Sequence, residues 1–487
     1  MLKNRLYFIS IFNKEQSDSM SIEETLLRFE KKYMFLYEIE VNGFPVYTCF
    51  RDRVNLLLSG EVTEKKVEYE DEKGRIYPKR IWDSLLKFRK FKKSKTLIFT
   101  SSMFRRDYDR NLAAEYLMEK YPDAVVFEWP SRTDAYDIAY FQDLKKDSYC
   151  PMDYYILVYK IYSRLHRKEE IILEEKCRKR LRDYFEKENN VEDGVEKRII
   201  NMLIQEMPKS YASTTISQQL FHKLFRKYKN IEYAIDFWGS GRENIIPVLP
   251  GKFESIELQH GIITEFHPGY IYPSKANEKC KRFFARTLLL YGEATKKLLT
   301  KKSVFTEEQI EVIGNPRILK YKQEFGESSE KRQYILFTSQ PFEQDVKGAE
   351  YYSEMIPILQ SIQKQLNTNE KWKKYSLAIK LHPRENNGIK NKYEDNISGC
   401  KVFDNATQLY ELLGKSFLHI TATSTTLYEA ALFDTPTILV PYQGYKSEDI
   451  FGFNVKKIKN KLPDELVESE KYEDYLKYLK NQTMNYM

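Results

Sequence analysis

Short, continuously apolar stretches, each running into a polar or Gly/Pro turn, constrain this chain more than any other feature. In the second half Ser255–Leu258 leads to Gln259-His260-Gly261, Thr287–Tyr291 to Gly292-Glu293, and Ile310–Ile313 to Gly314-Asn315-Pro316-Arg317. Tyr334–Thr338 leads to Ser339-Gln340-Pro341, and Ser376–Leu381 to His382-Pro383-Arg384-Glu385. Phe417–Ile420 enters Thr421-Ala422-Thr423-Ser424-Thr425-Thr426, with a helix expected over Leu427–Phe433 and a last strand over Thr437–Val440. Strands this apolar have no wet face, so they belong to a parallel sheet covered on both sides by helices. In such sheets ligands sit at the carboxyl edge, where the polar turns fall.

The first half carries the same rhythm less clearly. Thr96–Thr100 reads as a buried strand, Asp109–Lys120 as an amphipathic helix and Ala124–Glu128 as the next strand. Residues 150–230 have helical periodicity, as in Tyr154–Arg167 and Glu169–Lys187, before Ile231–Phe237 returns to strand and ends at Gly239-Ser240-Gly241. Earlier, Leu6–Phe12 reads as a first strand, and Tyr37–Val41 and Val46–Phe50 read as a hairpin around Asn42-Gly43-Phe44-Pro45. Lys79–Lys95 reads as a basic helix, and Glu465–Lys480 as a charged, tyrosine-bearing one. At 487 residues the chain exceeds one ordinary core. The Pro247–Pro250 turn suggests an N-terminal α/β domain over 1–250 with a helical insertion, and a second over 251–487.

Composition narrows the function. The net charge of +8 comes from 79 basic and 71 acidic residues interleaved along the chain, which does not make a nucleic-acid footprint. It leaves room for a basic face, on the Lys79–Lys95 helix, towards an anionic glycan or the inner face of a membrane. Five scattered cysteines without CxxC spacing fit a reducing compartment. No run approaches the ~20 apolar residues needed to span a bilayer, so the expectation is a cytoplasmic protein, at most peripheral to a membrane. No HxxxH pair occurs and no DxD falls at a strand end, so neither a metal nor a cofactor is expected.

The densest chemistry lies between Tyr375 and Val440. A strand that enters a hydroxyl-rich turn and opens a helix is a ready anion site, because the first-turn N–H groups lack intrahelical partners. His382 and Arg384 arrive at the end of a neighbouring strand. Together with Ser424, Thr425 and Ser339 they suggest a site for a phosphorylated ligand.

Two α/β halves with polar strand ends resemble the two facing Rossmann-like domains of GT-B glycosyltransferases, with a cleft between them. The Ile313-to-Arg317 turn resembles the entry to their donor domain, which makes Asn315 a donor-side candidate. Ser424-Thr425-Thr426-Leu427-Tyr428-Glu429-Ala430, followed by Pro436, resembles their helix whose hydroxyls meet the donor phosphate and whose glutamate, here Glu429, reaches the ribose. The pair His382-Pro383 and Ser424-Thr425 resembles the HP and S/T motifs of bacterial sialyltransferases, polysialyltransferases and related capsule enzymes, where they bind the CMP part of an activated sugar. Glu257-Leu258-Gln259-His260-Gly261, with His267-Pro268-Gly269-Tyr270 behind it, resembles the His-Gly loop of wall teichoic acid and capsule polymerases. The histidine of that loop is the proposed base in those enzymes.

These resemblances imply a metal-independent glycosyltransferase of surface polysaccharide synthesis, with a nucleotide-sugar donor and a glycan or lipid-linked acceptor. His260 and His382 would be catalytic. Arg384, Ser424, Thr425, Glu429, Asn315 and Ser339 would face the donor, and Gly239, Ser240 and His267 the acceptor. The alternatives are transfer of a polyol phosphate from a CDP-linked donor, or a non-catalytic glycan-binding scaffold on the same fold.

Overall fold

The computed structural model describes residues 22–58, 78–101, 111–130, 147–187, 194–237 and 248–484, apart from 260, 262, 264–266, 281–282, 326–331, 342–349, 383–384, 386, 405–406, 443–452 and 459. Leu6–Phe12, expected as a strand, lies outside the described residues. The described residues form two compact units that meet in sequence between Ile313 and Gly314.

The N-terminal unit opens with helix α1 (Ile22–Lys32) and a small hairpin, β1 (Glu40–Val41) and β2 (Phe44–Pro45). Asn42 and Gly43 both take positive φ, 47° and 83°, so the loop is the two-residue left-handed kind that matches strand twist. The hairpin is much shorter than expected. Val46–Phe50 is a 3-10 turn, and it leads into α2 (Arg51–Leu58).

After α3 (Pro78–Lys90) comes the sheet: β3 (Thr96–Ser101), α4 (Leu112–Lys120), β4 (Val125–Trp129) and β5 (Tyr149–Pro151). Three helices follow, α5 (Asp153–Leu165), α6 (Arg167–Phe185) and α7 (Val195–Phe225). The chain then adds β6 (Tyr233–Phe237), β7 (Glu254–Leu258), α8 (Ser274–Cys280), β8 (Thr287–Leu290), α9 (Glu293–Lys302) and β9 (Ile310–Val312).

All seven sheet strands are parallel, in the order β5-β4-β3-β6-β7-β8-β9. The chain starts in the middle, builds to one edge and then crosses to build to the other. The crossing point lies between β3 and β6, the Rossmann arrangement. Phe99, Phe127, Phe221, Phe225 and Tyr228 fill one side of the sheet, and Ile98, Val126, Ile235 and Leu117 fill the other. That two-sided burial is what the unbroken apolar strands demanded.

The expected boundary at residue 250 is thereby corrected. The Pro247–Pro250 turn reads as a linker, yet the next three strands extend the N-terminal sheet, with Ile235 paired to Ile256 and Leu258 to Leu289. Hydrogen-bond continuity outweighs the local turn chemistry, and the chain changes unit only at Gly314. There φ is +74°, a left-handed turn that glycine adopts without strain.

The C-terminal unit repeats the plan with five strands: β10 (Tyr334–Thr338), β11 (Ser376–Lys380), β12 (Lys401–Phe403), β13 (Ser416–Thr421) and β14 (Thr437–Leu439). Their order, β12-β11-β10-β13-β14, is again all parallel, with the switch between β10 and β13. The helices are α10 (Pro316–Phe325), α11 (Tyr351–Thr368), α12 (Asn387–Asn396), α13 (Leu409–Gly414), α14 (Thr426–Leu432) and α15 (Ser469–Met484). The core holds Trp372, Tyr351, Tyr393, Leu377 and Ile420. The tyrosines of α15 serve as tethers: Tyr472 OH donates to Phe417 O at 2.9 Å and Tyr475 OH to Thr437 O at 2.6 Å, holding the helix on β13 and β14.

Candidate functional site

The switch point of the C-terminal unit joins three loops through side chains. From β10, Gln340 reaches the loop after β13: Thr423 N donates to Gln340 Oε1 at 2.9 Å, and Gln340 Nε2 donates to Thr423 Oγ1 at 3.1 Å. Also from β10, Ser339 reaches the loop after β11, its hydroxyl donating to Glu385 Oε1 at 2.7 Å. Ser339 N donates to Lys380 O at 3.0 Å. Leu336 and Phe337 lie in register with His419 and Ile420, so these loops leave the sheet from adjacent strands.

Glu385 organises the turn that carries His382. Its Oε1 accepts from Ser339 and from Tyr352 OH at 2.6 Å, and its Oε2 accepts from His382 N at 2.6 Å. Glu385 N returns a bond to His382 O at 2.8 Å, closing the turn from both ends. Tyr393 OH lies 2.9 Å from Ser339 Oγ; because that hydroxyl spends its proton on Glu385, Tyr393 is the donor. Burial raises the Glu385 pKa, and the bonds from Tyr352, Ser339 and His382 N, with the Lys380 charge, pull against that rise. Lys380 itself is buried, with Nζ donating to Asp404 O at 2.8 Å.

Beneath the β13 loop, His419 is wholly buried among hydroxyls. Nε2 lies 2.9 Å from Thr338 Oγ1, and Nδ1 lies 2.8 Å from Thr437 Oγ1. Desolvation lowers its pKa to about 3, so it stays neutral and acts as a core spacer. Above it, Ser424 Oγ accepts from Thr426 N at 3.3 Å and opens α14. Ser424 is half-buried, Thr425 exposed and Glu429 half-buried on the next turn. His382 is also half-buried.

The expected donor-side residues therefore divide. His382 sits on the loop after β11, and Ser424, Thr425 and Glu429 on the loop and helix after β13, the two strands that flank β10. Ser339 is buried and its hydroxyl is committed to Glu385 and Tyr393, so it builds the loop framework. Asn315 caps α10, its Oδ1 accepting from Arg317 N at 3.1 Å, with Pro316 at the first helical position. The Arg317 guanidinium lies 5.2 Å from the centre of the Tyr410 ring. Arg384 falls outside the described residues.

In the N-terminal unit His260, Gly239 and Ser240 also fall outside the described residues. Buried Gln259 donates from Nε2 to Gly261 O at 2.6 Å and accepts from Tyr291 N at 2.7 Å. The turns after β7 and β8 are thus tied together through Gln259. Tyr270 OH donates to buried Glu257 at 2.7 Å. His267 closes its own turn, Nδ1 accepting from Gly269 N at 3.0 Å, which places the ring proton of the neutral form on Nε2.

Arg51 holds the same segment from below. Its Nε and Nη2 form a two-pronged pair with Glu30 at 2.6 and 2.8 Å, both residues fully buried, and Nη1 donates to Pro268 O. Tyr272 stacks 4.0 Å over the guanidinium. Among the described residues no group of His, Cys, Asp and Glu side chains has the arrangement of a metal site.

Sequence reasoning had missed Glu385, Tyr352, Gln340, Gln259 and the Glu30–Arg51 pair. A carboxylate three residues after a strand-end histidine is a visible turn-closing signal for Glu385. Nothing local marks Tyr352 or Glu30, which meet their partners only through tertiary packing.

Two successive α/β units, each with its own Rossmann switch point, define a class of two-unit Rossmann-like proteins. The sequence matches no protein-family model and no curated protein. Solved structures similar to it include a UDP-GlcNAc 2-epimerase from Methanocaldococcus jannaschii, at 11% identity, covering 80% of this chain and 94% of that one, with a TM-score of 0.44. A glycosyltransferase from Rickettsia africae ESF-5 is similar at 10% identity, covering 81% and 94%, with a TM-score of 0.41. The wall teichoic acid polymerase TagF is similar at 12% identity, covering 83% and 86%, with a TM-score of 0.36. The class rests on the strand orders of the two sheets rather than on these superpositions.

Proposed function

We propose that this protein is a glycosyltransferase that moves a sugar from a nucleotide-activated donor, CMP-linked by the HP and S/T resemblance, onto a glycan or lipid-linked acceptor. The observation that supports it best is the three-loop framework at the β10/β13 switch point, where Gln340, Ser339 and Glu385 fix the loops carrying His382, Ser424 and Thr425. Fixed donors at the carboxyl edge of a parallel sheet suit a departing nucleotide phosphate, because they need no reorganisation as charge develops.

In this reading His382, Arg384, Ser424 and Thr425 hold the leaving phosphate, Glu429 takes the ribose hydroxyls, and Ser339 and Asn315 position the loops. His260, next in sequence to Gln259, takes the acceptor proton as a neutral imidazole. No metal is required, since the cationic and hydroxyl groups supply the electrostatic role. The work would take place on the cytoplasmic side of a membrane; among the described residues no helix is long and apolar enough to cross one.

A second reading, transfer of a polyol phosphate from a CDP-linked donor, draws on the resemblance of the Gln259-His260-Gly261 loop to that of the polymerases and on the bonds that tie Gln259 to Gly261 and Tyr291. A thermal-shift panel of CMP, CDP, UDP and GDP separates the readings, because a ligand selective for the folded state raises Tm by linkage. Stabilisation by CMP that disappears in His382→Ala is the expected result. A response to CDP alone favours the polyol reading, and no response to any nucleotide sinks both.

A further inference from the structure

The helical pair α5–α6 carries a surface that the nucleotide site does not use. Eight large hydrophobic side chains stand out as exposed among the described residues, and four of them fall between Ile161 and Ile172. Ile161 is 49% exposed, Leu165 78%, Ile171 47% and Ile172 67%. One residue, His166, separates the two helices: its φ of −101° and ψ of 17° are not helical, His166 N donating to Tyr162 O ends α5, and Glu170 N donating to His166 O begins α6. Ile161 and Leu165 lie one turn apart on α5, and Lys168 and Ile172 lie one turn apart on α6. The opposite face of α6 buries Cys177, Leu181 and Phe185 in the core with Ile199 and Leu203 of α7, so the outward stripe is not a misplaced core.

Its charge is predominantly basic. Lys160, Arg164, Lys168, Lys176 and Lys179 are exposed beside the aliphatic residues and make no ion pair among the described residues. The acids from 169 to 175 are already engaged, Glu169 with Gln219, Glu170 and Glu174 with Arg167, and Glu175 with Arg178, while exposed Asp183 lies one turn beyond Lys179. A second copy of the same surface would set these cations against each other. A bilayer bearing anionic headgroups would not: the aliphatic tips would enter the acyl boundary while the long basic side chains reach out to phosphate.

We propose that the outward face of α5–α6 is a docking surface for an anionic lipid bilayer. The face belongs to the N-terminal unit and stands independently of the nucleotide chemistry proposed for the other. It also differs from the element that the charge pattern first suggested, the Lys79–Lys95 helix. Of that segment α3 buries Arg80, Ser84 and Phe88, and shows only Trp82 and Leu86 as exposed apolar groups.

The test is co-sedimentation of the full chain with vesicles of phosphatidylcholine alone and of phosphatidylcholine with phosphatidylglycerol. Two variants are compared, Leu165→Glu with Ile172→Glu and Lys168→Glu with Lys176→Glu. Both alter exposed side chains, and unchanged melting by circular dichroism certifies their fold. Wild type should sediment with the anionic vesicles only, and each double variant should lose about tenfold or more in binding, the scale set by two reversed cations. Absence of wild-type binding overturns the proposal. So does a Leu165→Glu/Ile172→Glu variant that binds as well as wild type, because adsorption would then be charge alone. A dimer in light scattering that this same variant dissolves would instead make the face a protein interface.

Discussion

Tyr352→Phe removes one oxygen from the bond network under His382 and leaves the buried ring in place. The lost bond is short, 2.6 Å, wholly buried, and made to a carboxylate, so it belongs to the charge-assisted class worth about 1.5–3 kcal/mol. Taking about 2 kcal/mol, the transition of the C-terminal unit should fall by about 4–8 °C for a unit of this size. The same bond lowers the Glu385 pKa against the rise that burial imposes, so without it that pKa climbs further. The direction with pH follows. A bond that favours the ionised form contributes fully while Glu385 is ionised in both proteins and fades as pH falls through its raised pKa. The deficit of Tyr352→Phe should therefore be largest at neutral pH and shrink on acidification towards the ordinary carboxylate range.

Tyr393→Phe supplies the contrast. Its hydroxyl donates to a neutral oxygen, Ser339 Oγ, so its loss should cost about 1 kcal/mol with much weaker dependence on pH. Melting curves of wild type and both variants across mildly acidic to neutral pH decide the matter. A Tyr352→Phe deficit under 1 kcal/mol at neutral pH (about one third of the upper estimate), or one that grows on acidification, would refute the assignment of Glu385 as a buried anion that braces the His382 turn.

Other consequences are as direct. Gln340→Ala cuts the bridge between the β10 and β13 loops, and should lower stability by about 1–2 kcal/mol while weakening nucleotide-induced thermal stabilisation more than Tyr393→Phe does. Arg51→Leu strands the fully buried Glu30 carboxylate and should cost about 3–5 kcal/mol in urea denaturation, whereas pairing it with Glu30→Leu should recover most of the loss. His419, with its pKa lowered to about 3, should keep neutral-imidazole carbon shifts by NMR down to about pH 4. Because its folded pKa lies below its unfolded one, its contribution to stability is present above the ordinary histidine pKa and drains away as pH falls towards 3.

The periodicity of the chain determined much of this molecule without help. Continuous apolar runs bounded by polar turns can be satisfied only in parallel sheets covered on both faces, and Tyr334–Thr338, Thr96–Ser101 and Tyr233–Phe237 are such strands. Local chemistry also fixed the Asn42-Gly43 loop, the Asn315-Pro316 helix start and the hydroxyl-rich entry to α14, because each depends on residues within one turn of each other. Tertiary structure alone decided the rest. The unit boundary moved from residue 250 to Gly314 because β7, β8 and β9 gain their hydrogen-bond partners from β6 outward, a pairing that no local pattern encodes. Ser339 turned inward because Glu385, 46 residues later, offered an acceptor. Arg51 became the support of the His267 segment because Glu30 and Pro268, on either side of it in sequence, close around it in space. A sequence read one window at a time shows what each segment can form. Which buried polar group meets which partner depends on contacts between distant segments, and only the folded chain brings those together.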